Sequence, residues 1–280
     1  MLRTSTTRVL DARDLDETRA LLARDPVADV FVASRVDVAG VDAWRLGAEM
    51  WGFGDRGSLA SLCYAGANLV PVGAGPEALR AFAERARRQG RRCSSIVGEA
   101  SAVDVLWRTL APSWGRAREV RAAQPLLAID EPPRVAGDPG VRLVEPHELD
   151  VLLPACIAMF TEEVGVSPLA GDGGGLYRAR VAELISQQRA WARIEDGTVL
   201  FKAEVGAATS AVCQIQGVWV HPSLRGVGLG TAGTAQVVAQ AQVRVAPTVS
   251  LYVNDFNTAA RRSYDKVGFR QVGTFASVLF

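Results

Sequence analysis

The stretch Gly217-Val-Trp-Val-His-Pro-Ser-Leu-Arg-Gly-Val-Gly-Leu-Gly-Thr231 decides how this chain is read. Val218, Trp219 and Val220 read as a β-strand, Pro222 breaks it, and a glycine-rich loop runs into an apolar-periodic helix from Thr231 to about Val243. Glycines at alternate positions, Gly226, Gly228 and Gly230, let a ligand approach the backbone where a Cβ would block it. The helix start leaves free N–H groups and the positive end of its macrodipole facing that ligand. Arg225 adds a full positive charge beside them. The site suits an anion, and a phosphate or pyrophosphate best.

Two glycine patterns overlap in this loop. Gly228-Leu229-Gly230-Thr231-Ala232-Gly233 matches G-x-G-x-x-G, the dinucleotide fingerprint, after a strand and at the start of a helix. A dinucleotide site also wants an acidic residue about 20 residues further on, at the end of the next strand. The next strand, Val249 to Val253, leads instead to Asn254 and Asp255, and too little chain follows for the remaining strands of such a sheet. A dinucleotide-dependent oxidoreductase therefore rests on the glycine match alone. The Walker lysine is missing, which excludes a P-loop nucleotidase.

The second pattern, Arg225-x-x-Gly228-x-Gly230 after Val218-x-Val220-x-Pro222, resembles the acyl-CoA loop of the GCN5-related N-acetyltransferase (GNAT) superfamily. The segment from Leu251 to Phe269, with Asn257, Tyr264 and the Gly268-Phe269 ending, resembles the strand and helix that close the cofactor site in that family. The phrases Met159–Pro168, Cys213–Pro222 and Ser250–Arg261 also resemble actinobacterial two-domain GNAT proteins with a poorly characterised N-terminal domain.

Composition sets the bounds. The 280 residues suit two domains, and 49% hydrophobic with 22% charged residues is the make-up of a folded, soluble protein. A net charge of +1 gives no general attraction to nucleic acid or acidic lipid. The arginines from Arg85 to Arg92 fit a solvated helix face. Cys63, Cys93, Cys156 and Cys213 lie scattered in apolar segments, and with His147 and His221 the only histidines, no metal site is expected. Buried, reduced cysteines fit the cytoplasm. Neither a secretory signal nor an apolar run of about 18 residues is present, so no membrane association is expected.

The Pro-, Gly- and acid-rich stretch Asp130–Gly140 marks a boundary, giving domains at 1–130 and 141–280 with a linker at 131–140. The C-terminal half reads as a strand at Val141–Val144, a helix from about His147 to Val164, a loop from Ser167 to Gly175, and a helix from about Leu176 to Gln188. Leu149, Leu153, Cys156, Phe160 and Val164 line one face of the first helix. Strands follow near Ala190–Ile194, Val199–Glu204 and Val212–Val220, with Glu195-Asp196-Gly197 turning between the first two. Then come the loop and its helix, the Val249 strand, a helix from Asn257 and a final strand pair to Phe280. The N-terminal half repeats this order, as a diverged copy of one fold. Its loop Gly73-Ala74-Gly75-Pro76 has no arginine and Pro76 has no N–H, so this half is expected to bind no CoA and to shape or stabilise the other.

The resemblance implies an α/β (α+β) fold: two tandem GNAT-like domains, each a mixed, mostly antiparallel sheet flanked by helices, the N-terminal one degenerate. It implies acetyl-CoA as acyl donor and a small-molecule or peptide amine as acceptor. The pantetheine would follow the backbone of Val218, Trp219 and Val220, with the Val220 N–H as oxyanion donor. Arg225, Gly226, Val227, Gly228, Leu229, Gly230 and Thr231 would hold the pyrophosphate, and Asn257 and Tyr264 would touch the cofactor from the last helix. Those two residues are seven apart, hence on one helix face. Asn257 is equally a good N-cap. Tyr264 could be a core aromatic, but a phenol with a pKa near 10 can also reprotonate a thiolate. Many relatives carry a carboxylate on the strand before the loop, whereas this chain has Gln214 and Gln216. Glu162, Glu163 and Glu204 are the nearest candidate bases, unless a water serves or none is needed. The reading is an acetyl-CoA-dependent N-acetyltransferase acting by direct attack, the alternative an acyl-CoA-binding regulatory module without turnover. Residues on acceptor loops vary independently of a cofactor site, so the sequence does not name the acceptor; it does not give the oligomeric state either.

Overall fold

The computed structural model describes residues 7–169 and 173–280. The chain divides into two compact units that do not follow chain order: one holds the residues up to Leu127 with Tyr252–Phe256 and Gln271–Phe280, the other Ala128–Leu251 and Asn257–Arg270.

In the first unit the chain runs β1 (Thr7–Val9), α1 (Leu15–Leu22), α2 (Val30–Ala39), α3 (Ala43–Leu46), β2 (Glu49–Phe53), β3 (Ser61–Ala65), β4 (Asn68–Val72), α4 (Pro76–Gln89), β5 (Ser95–Glu99), α5 (Ala100–Trp114) and β6 (Glu119–Ile129). Neighbours from β1 to β4 pair antiparallel, and β4 pairs parallel with β5. The second unit runs β7 (Arg142–Leu143), α6 (Leu149–Val164), α7 (Gly175–Ser186), β8 (Ala190–Glu195), β9 (Thr198–Ala208), β10 (Val212–Val220), α8 (Leu229–Arg244), β11 (Thr248–Tyr252) and α9 (Thr258–Val267).

The last strand, β12 (Arg270–Leu279), returns to the first unit, where it pairs antiparallel with β5 from Phe275↔Glu99 to Leu279↔Ser95. Ala276 and Val278 join Phe82, Ile96 and Leu106 in that unit's core. This corrects the expected final strand pair: one strand runs through. Gly273 sits within the strand, where an added Cβ would lie in ordinary contact with Leu126.

The sheet of the second unit has the order β11-β10-β9-β8-β7, antiparallel except for the parallel pair β10–β11. Asp196 and Gly197, both at positive φ, make the two-residue turn between β8 and β9. Residues 170–172 of the Ser167–Gly175 loop lie outside the described residues. The buried face of α6 centres on Leu152, Ala155 and Cys156, which pack with Leu184, Ala192 and Trp219. Leu149, Leu153, Phe160 and Val164 are only half-buried, so the expected face is rotated. Leu149–Phe160 is apolar on nearly every side, and periodicity cannot orient such a helix. Against the sheet lies α8, so closely that a Cβ on Gly233 would meet the Phe201 ring at 2.7 Å. The third glycine of G-x-G-x-x-G is thus a packing residue. All four cysteines are buried and unbridged, and no helix among the described residues is long and apolar enough to cross a membrane.

Asp29, at the start of α2, yields a stability prediction. Burial, with a smaller push from Asp25, raises its carboxyl to about 7. A carboxyl raised on folding binds its proton more tightly in the native state, so it favours folding below its unfolded value, about 3.9, and that contribution is lost as pH rises through 7. Asp29→Asn should therefore raise the melting temperature at pH 8 and leave it nearly unchanged at pH 4. A shift of equal size at both pH values, measured by calorimetry, would contradict this assignment.

Candidate active site

The site is built in the second unit around a defect in β10. Between the pairs Gln216↔Glu204 and Trp219↔Lys202, β10 spends one residue more than β9. The extra residue bulges the strand, and Gly217 takes a left-handed φ of 61° there. The missing Cβ also makes room: it would stand 3.1 Å from Lys202 Nζ and 3.2 Å from Glu204 Cδ. On its other edge β10 pairs with β11 only from Val212↔Thr248 to Gln214↔Ser250, then continues to Val220 without further pairs in that ladder. The two parallel strands open a wedge.

Val220 faces the open side of β10. The His221 N–H donates to Leu200 O on the β9 side, and backbone groups alternate direction along a strand, so those of Val220 point away from β9. Accordingly the Val220 carbonyl accepts from Arg225 Nε at 3.1 Å. Val218 is half-buried and Trp219 buried. A short 3-10 turn at Pro222–Leu224 follows, in which His221 Nδ1 accepts from the Ser223 N–H at 3.4 Å.

The loop then reaches the helix start. Gly226 and Gly228 have φ of 82° and 95°, a region L side chains rarely adopt, and both are exposed. Gly228 caps α8 and offers no side-chain acceptor to its first turn. Its carbonyl takes the N–H of Thr231 and Ala232, and no hydrogen-bond acceptor within the described residues is found for the N–H of Leu229 or Gly230. Exposed Val227 lies between the two positive-φ glycines. Backbone donors, a helix N-terminus and the Arg225 guanidinium together can hold an anion.

The candidate carboxylates differ in what holds them. Glu162, near the end of α6, accepts from Arg225 Nη2 at 2.8 Å and from Trp219 Nε1 at 3.3 Å, joining the helix to the strand and the loop. Both members of the Glu162–Arg225 pair are half-exposed, where an ion pair adds little stability. Glu163 is exposed, and its charge reaches Tyr264. Glu204 is buried and fully engaged, by Gln216 Nε2 at 2.9 Å and by Lys202 Nζ at 3.1 Å. Lys202 is 1% exposed and also donates to Cys156 Sγ at 3.4 Å. Burial works against its charge, but Glu204 and Cys156 more than offset that and raise its pKa, so the ammonium stays charged. Both oxygens of the Glu204 carboxylate are thus already occupied, one by the amide and one by the ammonium.

On α9, Asn257 is the N-cap, its Oδ1 accepting the Ala260 N–H at 3.1 Å, and Gly268 ends the helix at φ 114°. Tyr264 is buried, edge-on to Phe269 at 5.8 Å. Burial, and secondarily the Glu163 charge, raises its phenol above the ordinary value. Trp219, Val220, Arg225 and Glu162 are thus directly linked, whereas the Asn257 contacts stay within its own helix. Lys202, Gly217 and Gly206 were not singled out from sequence. An isolated glycine inside a strand pattern is the one signal that could have marked the bulge. Gly206 clears space for the Gln216 amide, which a Cβ would strike.

Comparison with known proteins adds the following. Residues 179–269 match the model of the acetyltransferase (GNAT) family, and residues 48–152 match a domain of unknown function, DUF4081. The mycothiol acetyltransferase of Thermobispora bispora is 39% identical over 67 residues, 24% of this chain and 23% of that protein. The chain thus matches about a quarter of the curated relative's length. A GCN5-related N-acetyltransferase structure from Sphaerobacter thermophilus superposes with a TM-score of 0.60 at 18% identity, over 99% of this chain and 95% of that one. A tandem GNAT protein from the clavulanic acid biosynthesis pathway gives 0.55 at 14% identity, over 98% of each. At such identities the likeness speaks to the fold, which is that of tandem GNAT-like domains.

The bulge can be tested by itself. Gly217→Ala puts a Cβ at positive φ against Lys202 and Glu204, and should cost about 1–3 kcal/mol of stability in urea unfolding. An unchanged midpoint would mean that the backbone at Gly217 is not held in this conformation.

Proposed function

We propose, from the premise that residues 179–269 carry a domain of the acetyltransferase (GNAT) family, that this protein transfers an acetyl group from acetyl-CoA to a primary amine while both are bound. One observation carries the reading: within Gly217–Thr231 a bulged strand leaves its parallel neighbour, exposes the Val220 backbone, and delivers an arginine and unpartnered N–H groups to a helix start. Positive-φ glycines and a side-chain-free cap fit a bulky anion that must touch the backbone. Arg225 and Gly226, Val227, Gly228, Leu229, Gly230 and Thr231 would hold the pyrophosphate, and Val218–Val220 the pantetheine.

When bound, acetyl-CoA supplies the thioester carbonyl that the amine attacks. The outward N–H of Val220 suits an oxyanion donor. Tyr264, protonated throughout the neutral range, suits the proton donor to the departing sulfur. Glu162 shares Arg225 with the phosphate loop, so an anion that draws Arg225 away frees this carboxylate, which can then take the proton of the amine. Glu163, whose charge reaches Tyr264, helps to keep the phenol protonated. Asn257 caps the start of α9 and would touch the cofactor from that helix. The acceptor is a small-molecule or peptide amine.

A second reading, an acyl-CoA-binding module without turnover, draws on the lack of a free carboxylate on β10: Gln214 and Gln216 stand there, and Glu204 is held by Lys202.

CoA release measured against amino acids, polyamines, aminoglycosides and peptide N-termini distinguishes the two. With the best acceptor, Tyr264→Phe should lower kcat about 10²–10⁴-fold and leave acetyl-CoA affinity unchanged. Because the phenol is raised, Tyr264 should impose no alkaline fall in kcat below about pH 10. Wild-type turnover in the Phe variant would reduce Tyr264 to a packing residue, and no release with any amine would favour the binding module.

A further inference from the structure

Glu49 and Trp51 are two residues apart on β2 and so share a face of the first unit's sheet. The Trp51 indole N–H donates to Glu49 Oε2 at 2.6 Å, Gln89 Nε2 donates to it at 3.1 Å and Arg85 Nη2 at 3.5 Å. All three donors fall on one oxygen. Among the described residues nothing donates to Oε1, and the side chain is 34% exposed. The Trp51 hydrogen bond outweighs burial and, with Gln89 and Arg85, holds the carboxyl below its ordinary range. The result is an ionised carboxylate fixed through one oxygen and open at the other.

That carboxylate lines a cavity of about 400 Å³, within the roughly 300–1,000 Å³ of small-molecule sites. Trp51 and Trp114 supply aromatic wall, and Ala48 and Ala65 line the cavity with small side chains. Two helices end at this cavity, α4 at Gln89 and α5 at Trp114, and both lining residues sit at the negative ends of their macrodipoles. The guanidinium of Arg85 already lies 5.2 Å over the Trp51 ring, so this indole accepts a cation on its face. Arg92 stands on the lining as an exposed, movable cation, while the carboxylate is held in place. Arg85 Nε and Trp114 Nε1 lack partners but are shut off from solvent, and hence from a ligand.

We propose that the first unit holds its own binding site for a small organic cation, a primary ammonium on an apolar body, which donates to Glu49 Oε1 and rests against the indole wall. Glu49 and Trp51 fall within the domain of unknown function at residues 48–152. This site is separate from the acetyl-transfer reading, which concerns the other unit.

The test is calorimetric titration of the full chain, without acetyl-CoA, using 2-phenylethylamine and 3-phenylpropionate, which carry the same ring and opposite charges. The amine should bind saturably and the acid at least about tenfold more weakly. Glu49→Gln keeps an acceptor for Trp51 and loses the charge. Ala43→Phe narrows the cavity from the exposed helix α3, where it should not disturb folding. Each should weaken the amine at least about tenfold. If Glu49→Gln fails to fold, Ala43→Phe decides. Acid binding as tight as the amine, amine binding that the variants leave unchanged, or no saturable heat from the amine would overturn the proposal. Amine held at an acetyl-acceptor site would survive both substitutions, so the two readings fail separately.

Discussion

The buried Lys202–Glu204 ion pair beneath Gly217 is the constraint on which the second unit's geometry turns. Burying two charges is costly, and such a pair contributes little net stability, but removing one partner would strand the other in a dry interior. Here each partner is used twice: Glu204 also takes the Gln216 amide, and Lys202 also meets the Cys156 thiol. The pair therefore ties β9, β10 and α6 at one point. A Cβ at Gly217 would crowd both partners, at a backbone φ that disfavours any side chain. The bulge that results turns the end of β10, and with it the Val220 backbone, the arginine and the glycine loop.

The same pair bears on the proton acceptor. A Glu on β9 looks, from its sequence position, like a substitute for the carboxylate that β10 lacks. Its environment says otherwise, since it is buried and its two oxygens are taken by Lys202 and Gln216. Glu162 is the contrasting case: half-exposed, paired with an arginine beside the glycine loop, and cheap to release.

Much of this was legible in the residues. The strand, turn, glycine loop and helix from Gly217 to Thr231 lie where local pattern puts them, because Pro222 and the alternate glycines act on the backbone directly. The Asp196-Gly197 turn is equally local. What escaped was set by tertiary contacts. Lys202 reads as a polar residue in a strand, and nothing in its neighbours announces burial against Glu204. The inward face of α6 was misplaced because an all-round apolar helix has no preferred face. The destination of β12 depends on which sheet edge is open, and its own residues do not encode that. Asn257 could be a cap or a ligand contact by sequence, and the structure shows the cap.

The central claim is that the loop from Arg225 to Thr231 receives the pyrophosphate of a CoA thioester. The most direct measurement is a thermal melt of the full chain with acetyl-CoA and, in parallel, with NAD at the same concentration. A rise in melting temperature that saturates with acetyl-CoA, and none with NAD, is the outcome this account requires. Stabilisation by NAD with indifference to acetyl-CoA would contradict it and return the glycine loop to the dinucleotide reading.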